Sequence, residues 1–433
     1  MKNSSLFQTF LLIFFGGALL VGILIFSGIL PGFKAKPVGE TGTVTLWGPV
    51  PMVRISKLIE ALNKEGVGKF QVVYIQKDPA KMGDQLLEAL AADTAPDLAI
   101  LPQDLIFHHR SKLFPIPFSS VTERQYQDLF VDGAKIFKSA DGYLALPVAV
   151  DPLVLYYNKD LYKSANIVTP PSNWEQLVLD QPKLTMIDSL NKISQSAVAL
   201  GTSNNINNVK DIFALLSLQS GAAPISFDGT KLSSAMLADT GAYNPSQTSL
   251  DFYTQFSNPQ LSTYTWNRSL PLDRDYFLSG KLANYFGLAS ELPDIIEKNP
   301  HLNFDIALTP RLSNGENLTL GHFYGLVVLK RSTKLTSALA AAFALAFTDR
   351  EEQVSEGLDA CPVKRILIGQ GDPDPRRQVF LDEALISTSW PDPADDKTTV
   401  IIKKMIDGVV SGQGSSIDAV KKADEDLRLL LAQ

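Results

Sequence analysis

The chain predicts an α/β fold built on a parallel sheet with helices across its faces, divided into two units. Three observations carry this expectation. The 433 residues exceed what one hydrophobic core usually serves. Their composition, 45% apolar and 20% charged, is that of a globular protein. From residue 43 onward strand-like and helix-like stretches alternate, the order that pairs strands in parallel.

The segment ahead of these elements differs from them. No charged residue stands between Lys2 and Lys34, and "LFQTFLLIFFGGALLVGILIFSGILPGF" is apolar over most of its length. A hydrocarbon core about 30 Å thick needs about 20 apolar helical residues. Residues 6–33 are therefore expected to form a single-pass transmembrane anchor in the cell membrane, with the globular part outside the cytoplasm. A cleaved secretory signal is the alternative, but no Ala-x-Ala closes the segment. Residues 34–42, beginning "KAKPVGETG" with Lys, Pro and Gly, suit an exposed linker.

"TVTLWG" then alternates like a strand. In "VRISKLIEALNKEG", Val53, Leu58, Ile59 and Leu62 recur at helical spacing, and Gly66 is placed to stop the helix. "FQVVYIQ" reads as a second strand. "DPAKMGDQLLEALAAD" reads as a helix with Asp78 as cap and Pro79 in its first turn. "PDLAILP" completes the set as a third strand. The stretch from about 150 to 322 is richer in helical patterns and loops, including "RDYFLSGKLANYFG". "GLVVLK" at 325–330 precedes the helical "LTSALAAAFALAFTD". The tail "SSIDAVKKADEDLRLLL" is amphipathic, with Ser at its start and Ile417, Val420, Leu427 and Leu431 along one side.

The net charge of -7 with scattered Lys and Arg excludes nucleic acid as a partner. One cysteine, Cys361, excludes an intrachain disulfide. There is no phosphate-cradling Gly-rich loop ending in Lys-Ser/Thr, no His-Glu-x-x-His and no Gly-x-Ser-x-Gly. No cofactor and no metal is expected. "GDPDP" and "DPADD" lack the ordered ligand alternation of a calcium loop and read as solvated loops.

Several stretches, in order, resemble one family. "TVTLWG", "LLEALAADTAPDLAILPQD", "GYLALPVAVDPLVLYYNKDLY" followed by "PPSNWEQL", "FALLSLQSGA", "DYFLSGKLANYFG" and "MIDGVVSGQGSSIDAVKKADEDL" are similar to the extracellular solute-binding proteins that feed ABC importers, the maltose-binding-like group. The resemblance implies an α/β, two-lobed periplasmic-binding-protein-like fold (type II) with a ligand cleft between lobes. It implies chain crossings near Val148–Asp151, near His322–Gly325 and after Cys361. Lobe 1 would be 43–149 and 324–370, and lobe 2 would be 150–323 and 371–433. The partners implied are a small polar solute, a sugar first of all, and the permease subunits of an ABC transporter.

The candidate site residues each carry two readings. Asp151 interrupts two apolar runs. Followed by Pro152 it is a turn opener or a cap. By resemblance it stands at the first crossing, where an ionised carboxylate accepts from two sugar hydroxyls. Trp47 closes the first strand, at the carboxyl end where open α/β sheets bind ligands. It is either core or a flat platform for the C–H face of a sugar. Asp104 ends the third strand as helix cap or sugar contact. In "TSNNINNVKDIF", Asn208 and its neighbours are hydroxyl partners or simply a turn. Tyr285 offers aromatic surface in lobe 2, Tyr324 and His322 lie at the second crossing, Trp390 is a further stacking candidate, and Trp266 is either another or merely surface. Two other functions remain open: a ligand-sensing receptor for a membrane partner, and a glycosidase using Asp151 with Asp104 as paired carboxylates.

Overall fold

The structure is a computed structural model that describes residues 42–190, 192–237, 243–313 and 315–432. The expected anchor 6–33, and the linker up to residue 41, lie outside the described residues. Among the described residues no helix is long and apolar enough to cross a membrane.

Twelve strands are described: β1 (Gly42–Gly48), β2 (Phe70–Gln76), β3 (Leu98–Pro102), β4 (Leu146–Asn158), β5 (Met186–Ile187), β6 (Ile193–Val198), β7 (Ile225–Phe227), β8 (Leu232–Ser234), β9 (Leu282–Leu288), β10 (Phe304–Ala307), β11 (Thr319–Val328) and β12 (Ser387–Thr388). The first three are parallel, joined by the helices Met52–Glu65 and Met82–Ala91, as their alternation predicts. The sheet as a whole is mixed, however. Its order is β2-β1-β3-β11-β4-β9-β6-β5, with β11 antiparallel to both β3 and β4. A parallel sheet was the expectation. The difference arises because β4 and β11, the two long strands at the middle of the sheet, run in opposite directions.

β4 is apolar almost throughout and buried along nearly its whole length. Its first half pairs with β11 (Leu146↔Leu326 to Pro152↔Gly321). Its second half pairs with β9 and β10. A third segment joins at the junction: Val150 N–H donates to Cys361 O at 2.9 Å, and Cys361 N–H donates to Val150 O at 2.8 Å. The three segments where the resemblance implies crossings thus lie side by side.

Local signals explain the ends of several elements. Asp78 accepts from Ala80 N at 3.0 Å and caps a single 3₁₀ turn, Pro79–Lys81, which leads into the helix Met82–Ala91. Ser415 caps Ser416–Leu431, which buries Val420, Ala423 and Leu427. In Met52–Glu65 the buried face is Ile55, Leu58 and Leu62, and Val53 is exposed. The apolar "LANYFGL", expected within a helical region, is the strand β9, following the short helix Asp273–Leu278. The two halves also touch away from the crossing strands. Phe227 in the β7–β8 hairpin packs edge-on against Phe107 with ring centroids 5.6 Å apart, and Ala140 N–H donates to Gly229 O at 3.0 Å.

Candidate functional site

The register of the two long strands places Asp151 opposite His322 and Ala149 opposite Tyr324. Tyr324 is in turn paired with Pro102, the last residue of β3, immediately before the helix Gln103–His108 that carries Asp104. Asp151, His322, Tyr324 and Asp104 therefore converge at the carboxyl end of β3, where β11 lies between β3 and β4.

From the second half, the helix Val209–Gln219 presents Lys210 and Asp211 at its first turn. Asp211 Oδ1 meets His322 Nε2 at 3.0 Å. Lys210 Nζ donates to Asp392 at 2.8 Å and also to the Asp395 carboxylate. Asp392 is 3% exposed and accepts from Thr398 Oγ1 at 2.6 Å, so "DPADD" is not a solvated loop. It is a folded counter-ion site whose two carboxylates neutralise a buried ammonium. Two contacts link the walls around this cluster: Gln103 Nε2 donates to Ser389 Oγ at 2.6 Å, and His108 Nδ1 lies 3.0 Å from Pro393 O.

Burial and charge set the protonation of these groups. Burial alone would depress His322, but Asp211 and then Asp151 outweigh it and raise the imidazole to about 9. Burial would likewise raise Asp211, and His322 and Lys210 reverse it, keeping it below the ordinary carboxylate value. Asp151 is raised to about 6, mainly by burial; hydrogen bonding from Ser290 and the charge of His322 oppose the rise. Asp104 is raised by burial and by Asp395 and Asp392 across from it. Burial and the charges of Asp151 and Asp104 also raise Tyr324, which places its hydroxyl in the field of both carboxylates. The cluster thus holds two cations in ion pairs, while Asp104 and Asp151 have no direct cation partner among the described residues.

The structure brings Asp104, Asp151 and Tyr324 together. Asp151 and Pro152 lie inside β4, so they open no turn; Asp151 instead acts as a cap at a distance, its Oδ1 accepting from Ser290 N at 3.0 Å in the turn Ala289–Glu291. Trp47 is 8% exposed, and Lys77 Nζ lies 3.6 Å from its ring centroid, so a cation now covers the face expected to be open. Trp390 is 2% exposed, with Lys210 Nζ 5.6 Å from its ring. Asn208 is neither a free hydroxyl partner nor a simple turn: its Nδ2 donates to Phe286 O and to Glu291 Oε1, both at 3.0 Å.

Tyr285 needs correction. It is 1% exposed, packs between Tyr156 and Phe277, and donates its hydroxyl to Glu291 at 2.6 Å. The reason is that β9 is a strand, which turns Tyr285 into the core. Trp266 is fully buried against Tyr276 and offers no surface either. Sequence reasoning missed Lys210, Asp211 and Asp392 as parts of the cluster. One signal was available: "VKDIFALLSLQ" is apolar except for this Lys-Asp pair and two further polar side chains, Ser217 and Gln219.

No group of three or more His, Cys, Asp or Glu among the described residues is arranged to hold a metal ion. What the arrangement offers is hydroxyl-acceptor chemistry: two carboxylates and a phenol at the junction of two halves. Ionised carboxylates accept from neighbouring hydroxyls, and such charge-assisted bonds are the stronger kind.

Comparison with known proteins agrees with this geometry. Residues 57–357 match the family model described as bacterial extracellular solute-binding protein. A Brucella abortus (strain 2308) protein named only as a binding protein is 28% identical over 142 residues, 32% of this chain and 33% of its own length. The match spans only about a third of the curated relatives found. Among solved structures, the cyclic alpha-maltosyl-1,6-maltose binding protein from Arthrobacter globiformis superposes with a TM-score of 0.72 at 16% identity, covering 90% of this chain and 98% of that one. The sugar-binding protein MalE from Xanthomonas citri gives 0.69 at 18% identity, covering 90% and 97%. The maltose/maltodextrin-binding domain MalE from Bdellovibrio bacteriovorus, bound to maltotriose, gives 0.62 at 16% identity, covering 90% and 100%. At these identities the likeness shows the fold, an α/β periplasmic-binding-protein-like architecture.

Proposed function

The chain belongs to the bacterial extracellular solute-binding proteins, and we propose that it captures a carbohydrate-like polar solute between two lobes and delivers it to the permease of an ABC importer. Membership places it among binding proteins, not enzymes. The lobes are 43–149 with 324–370, and 150–323 with 371–433. Residues 6–33 tether them to the membrane, with the lobes outside the cytoplasm. The observation that carries the reading is the junction cluster, in which the strand register brings Asp104 and Asp151 to either side of Tyr324, with no cation among the described residues paired to either. Two solved proteins of the same fold are described as binding maltose-type sugars and a third as sugar-binding, and hydroxyl acceptors at a closing junction suit that class.

In this reading Asp151 and Asp104 accept from sugar hydroxyls, and Tyr324 lines the floor between them. Trp47 supplies the platform once Lys77 has swung from its face. The ion pairs of Lys210 and of Asp211 with His322 hold the far wall in place. Closure is a hinge motion about the three adjacent segments, Val148–Asp151, His322–Gly325 and the segment after Cys361.

A thermal-shift screen against mono- and oligosaccharides, polyols and amino acids tests this. A ligand at 100 times its dissociation constant stabilises the folded state by about 2.7 kcal/mol. The proposal predicts a rise in Tm with one sugar class that disappears in Asp151→Asn. A rise produced only by amino acids, or unchanged in that variant, would overturn it.

A further inference from the structure

Gly42 is where the described chain begins, and so where the preceding 41 residues join the fold. β1, β2 and β3 start at this edge of the sheet and β11 ends there, so it is the edge opposite the candidate site. The loops around it carry Lys69, Lys112, Lys330, Arg331 and Lys334, all exposed. They lie close to one another and to Gly42. Lys334 Nζ donates to Thr43 O at 2.5 Å, and Ser337 Oγ donates to Lys69 O at 3.1 Å. Lys330 donates through its backbone N–H to Lys112 O at 2.9 Å and through Nζ to Ser111 O at 3.0 Å.

Acid at this edge is sparse. Arg331 pairs with Asp93 at 2.5 Å. Asp97 is buried and hydrogen-bonded to Thr45 and Ser332. Nearby Glu65 and Glu60 are taken up by Arg350 and Lys64. The five cations set against Asp93 and Asp97 leave +3 at one end of a chain whose net charge is -7.

We infer that this basic edge rests on an anionic lipid surface and holds the tethered receptor against the membrane. The inference builds on the reading of residues 6–33 as an anchor. Eight residues, 34–41, can span at most about 29 Å. The tether therefore keeps the edge within a few screening lengths, each about 8–10 Å, of the headgroups. Lys34 and Lys36 set against Glu40 leave the linker itself at +1. Lysine and arginine near an anionic membrane surface are each attracted to it. The candidate site, at the other ends of the strands, stays clear of the bilayer.

The test uses the full chain with nanodiscs of anionic or of purely zwitterionic lipid. Lysines are acetylated under single-hit conditions and read by peptide mass spectrometry. Lys69, Lys330 and Lys334 are expected to react about fivefold more slowly with anionic discs. Lys183 and Lys421 should react alike in both, and high salt should remove the difference. Equal rates at Lys69, Lys330 and Lys334 in the two disc types overturn the inference. In the double variant Lys330→Gln, Lys334→Gln, Lys69 should lose its protection; protection retained in full also overturns it. A chain that does not co-purify with zwitterionic discs refutes the anchor instead. In that case protection of Lys69 when anionic discs are added still supports the basic edge, and its absence refutes it.

Discussion

Replacing Phe227 with Ala should open the molecule without touching the candidate site. Phe227 meets Phe107 edge-on, with centroids 5.6 Å apart and ring planes at 74°, and the contact joins the β7–β8 hairpin of the second half to a helix of the first. An aromatic pair of this geometry contributes about 0.5–1.5 kcal/mol beyond its area. In the closed form both rings gain it, and in an open form neither does. Its loss should therefore shift the closed-to-open ratio by about 2- to 13-fold. The neighbouring Ala140–Gly229 hydrogen bond would remain. Gly229→Ala should remove that second contact, because a Cβ there would lie 2.9 Å from Ala140 N and the backbone φ is +96°. Single-molecule energy transfer between dyes on Lys64 and Lys298, both exposed, reads the ratio directly. The expected result is a population shift toward longer distances in Phe227→Ala and a larger one in the double variant. An unchanged distance distribution in folded Phe227→Ala would refute the idea that these contacts hold the halves together.

Three further outcomes follow from the site. Asp151→Ala should weaken the sugar identified by thermal shift by about 1.5–3 kcal/mol, the contribution of a hydrogen bond to a charged group, measured by titration calorimetry. Lys210→Met should lower unfolding stability by about 3–5 kcal/mol in denaturant titrations, because it leaves Asp392, 3% exposed, without its buried partner. The pH dependence has a defined sign. His322 is raised from 6.5 to about 9 in the folded state, so its contribution is complete below about pH 6.5 and lost as pH rises through 9. Asp151, raised from 3.8 to about 6, acts in the same direction between those values. Tm should fall from pH 6 to pH 9, and His322→Gln should flatten that fall.

Much of the first half of the fold was legible because its signals are local. Strand and helix periodicities alternate from β1 to β3, and Asp78 caps within a few residues of itself, as Ser415 does in the second half. Asp151 was legible because a carboxylate inside two apolar runs is costly without a partner. What could not be read depends on distant contacts. Lys210 meets Asp392 across 182 residues of chain, and neither position shows in its own neighbourhood that it will be buried. β9 was masked by its composition, since a short apolar run following a helical one fits either period. Tyr285 was misplaced for that reason alone. Trp47 shows a different limit: the sequence puts it at a strand's carboxyl end, but that Lys77 would cover it depends on where β2 ends beside β1.

The central claim is that solute binds where β4 and β11 pair around Asp151 and His322. Hydrogen–deuterium exchange with and without the sugar that raises Tm tests it most directly. The account predicts new protection confined to 101–108, 148–152, 209–212, 321–325 and 389–396, the segments that meet at the junction. Protection confined to the helices Asp395–Val410 and Ser416–Leu431, or to the basic edge around Gly42, with none at the junction, would contradict it.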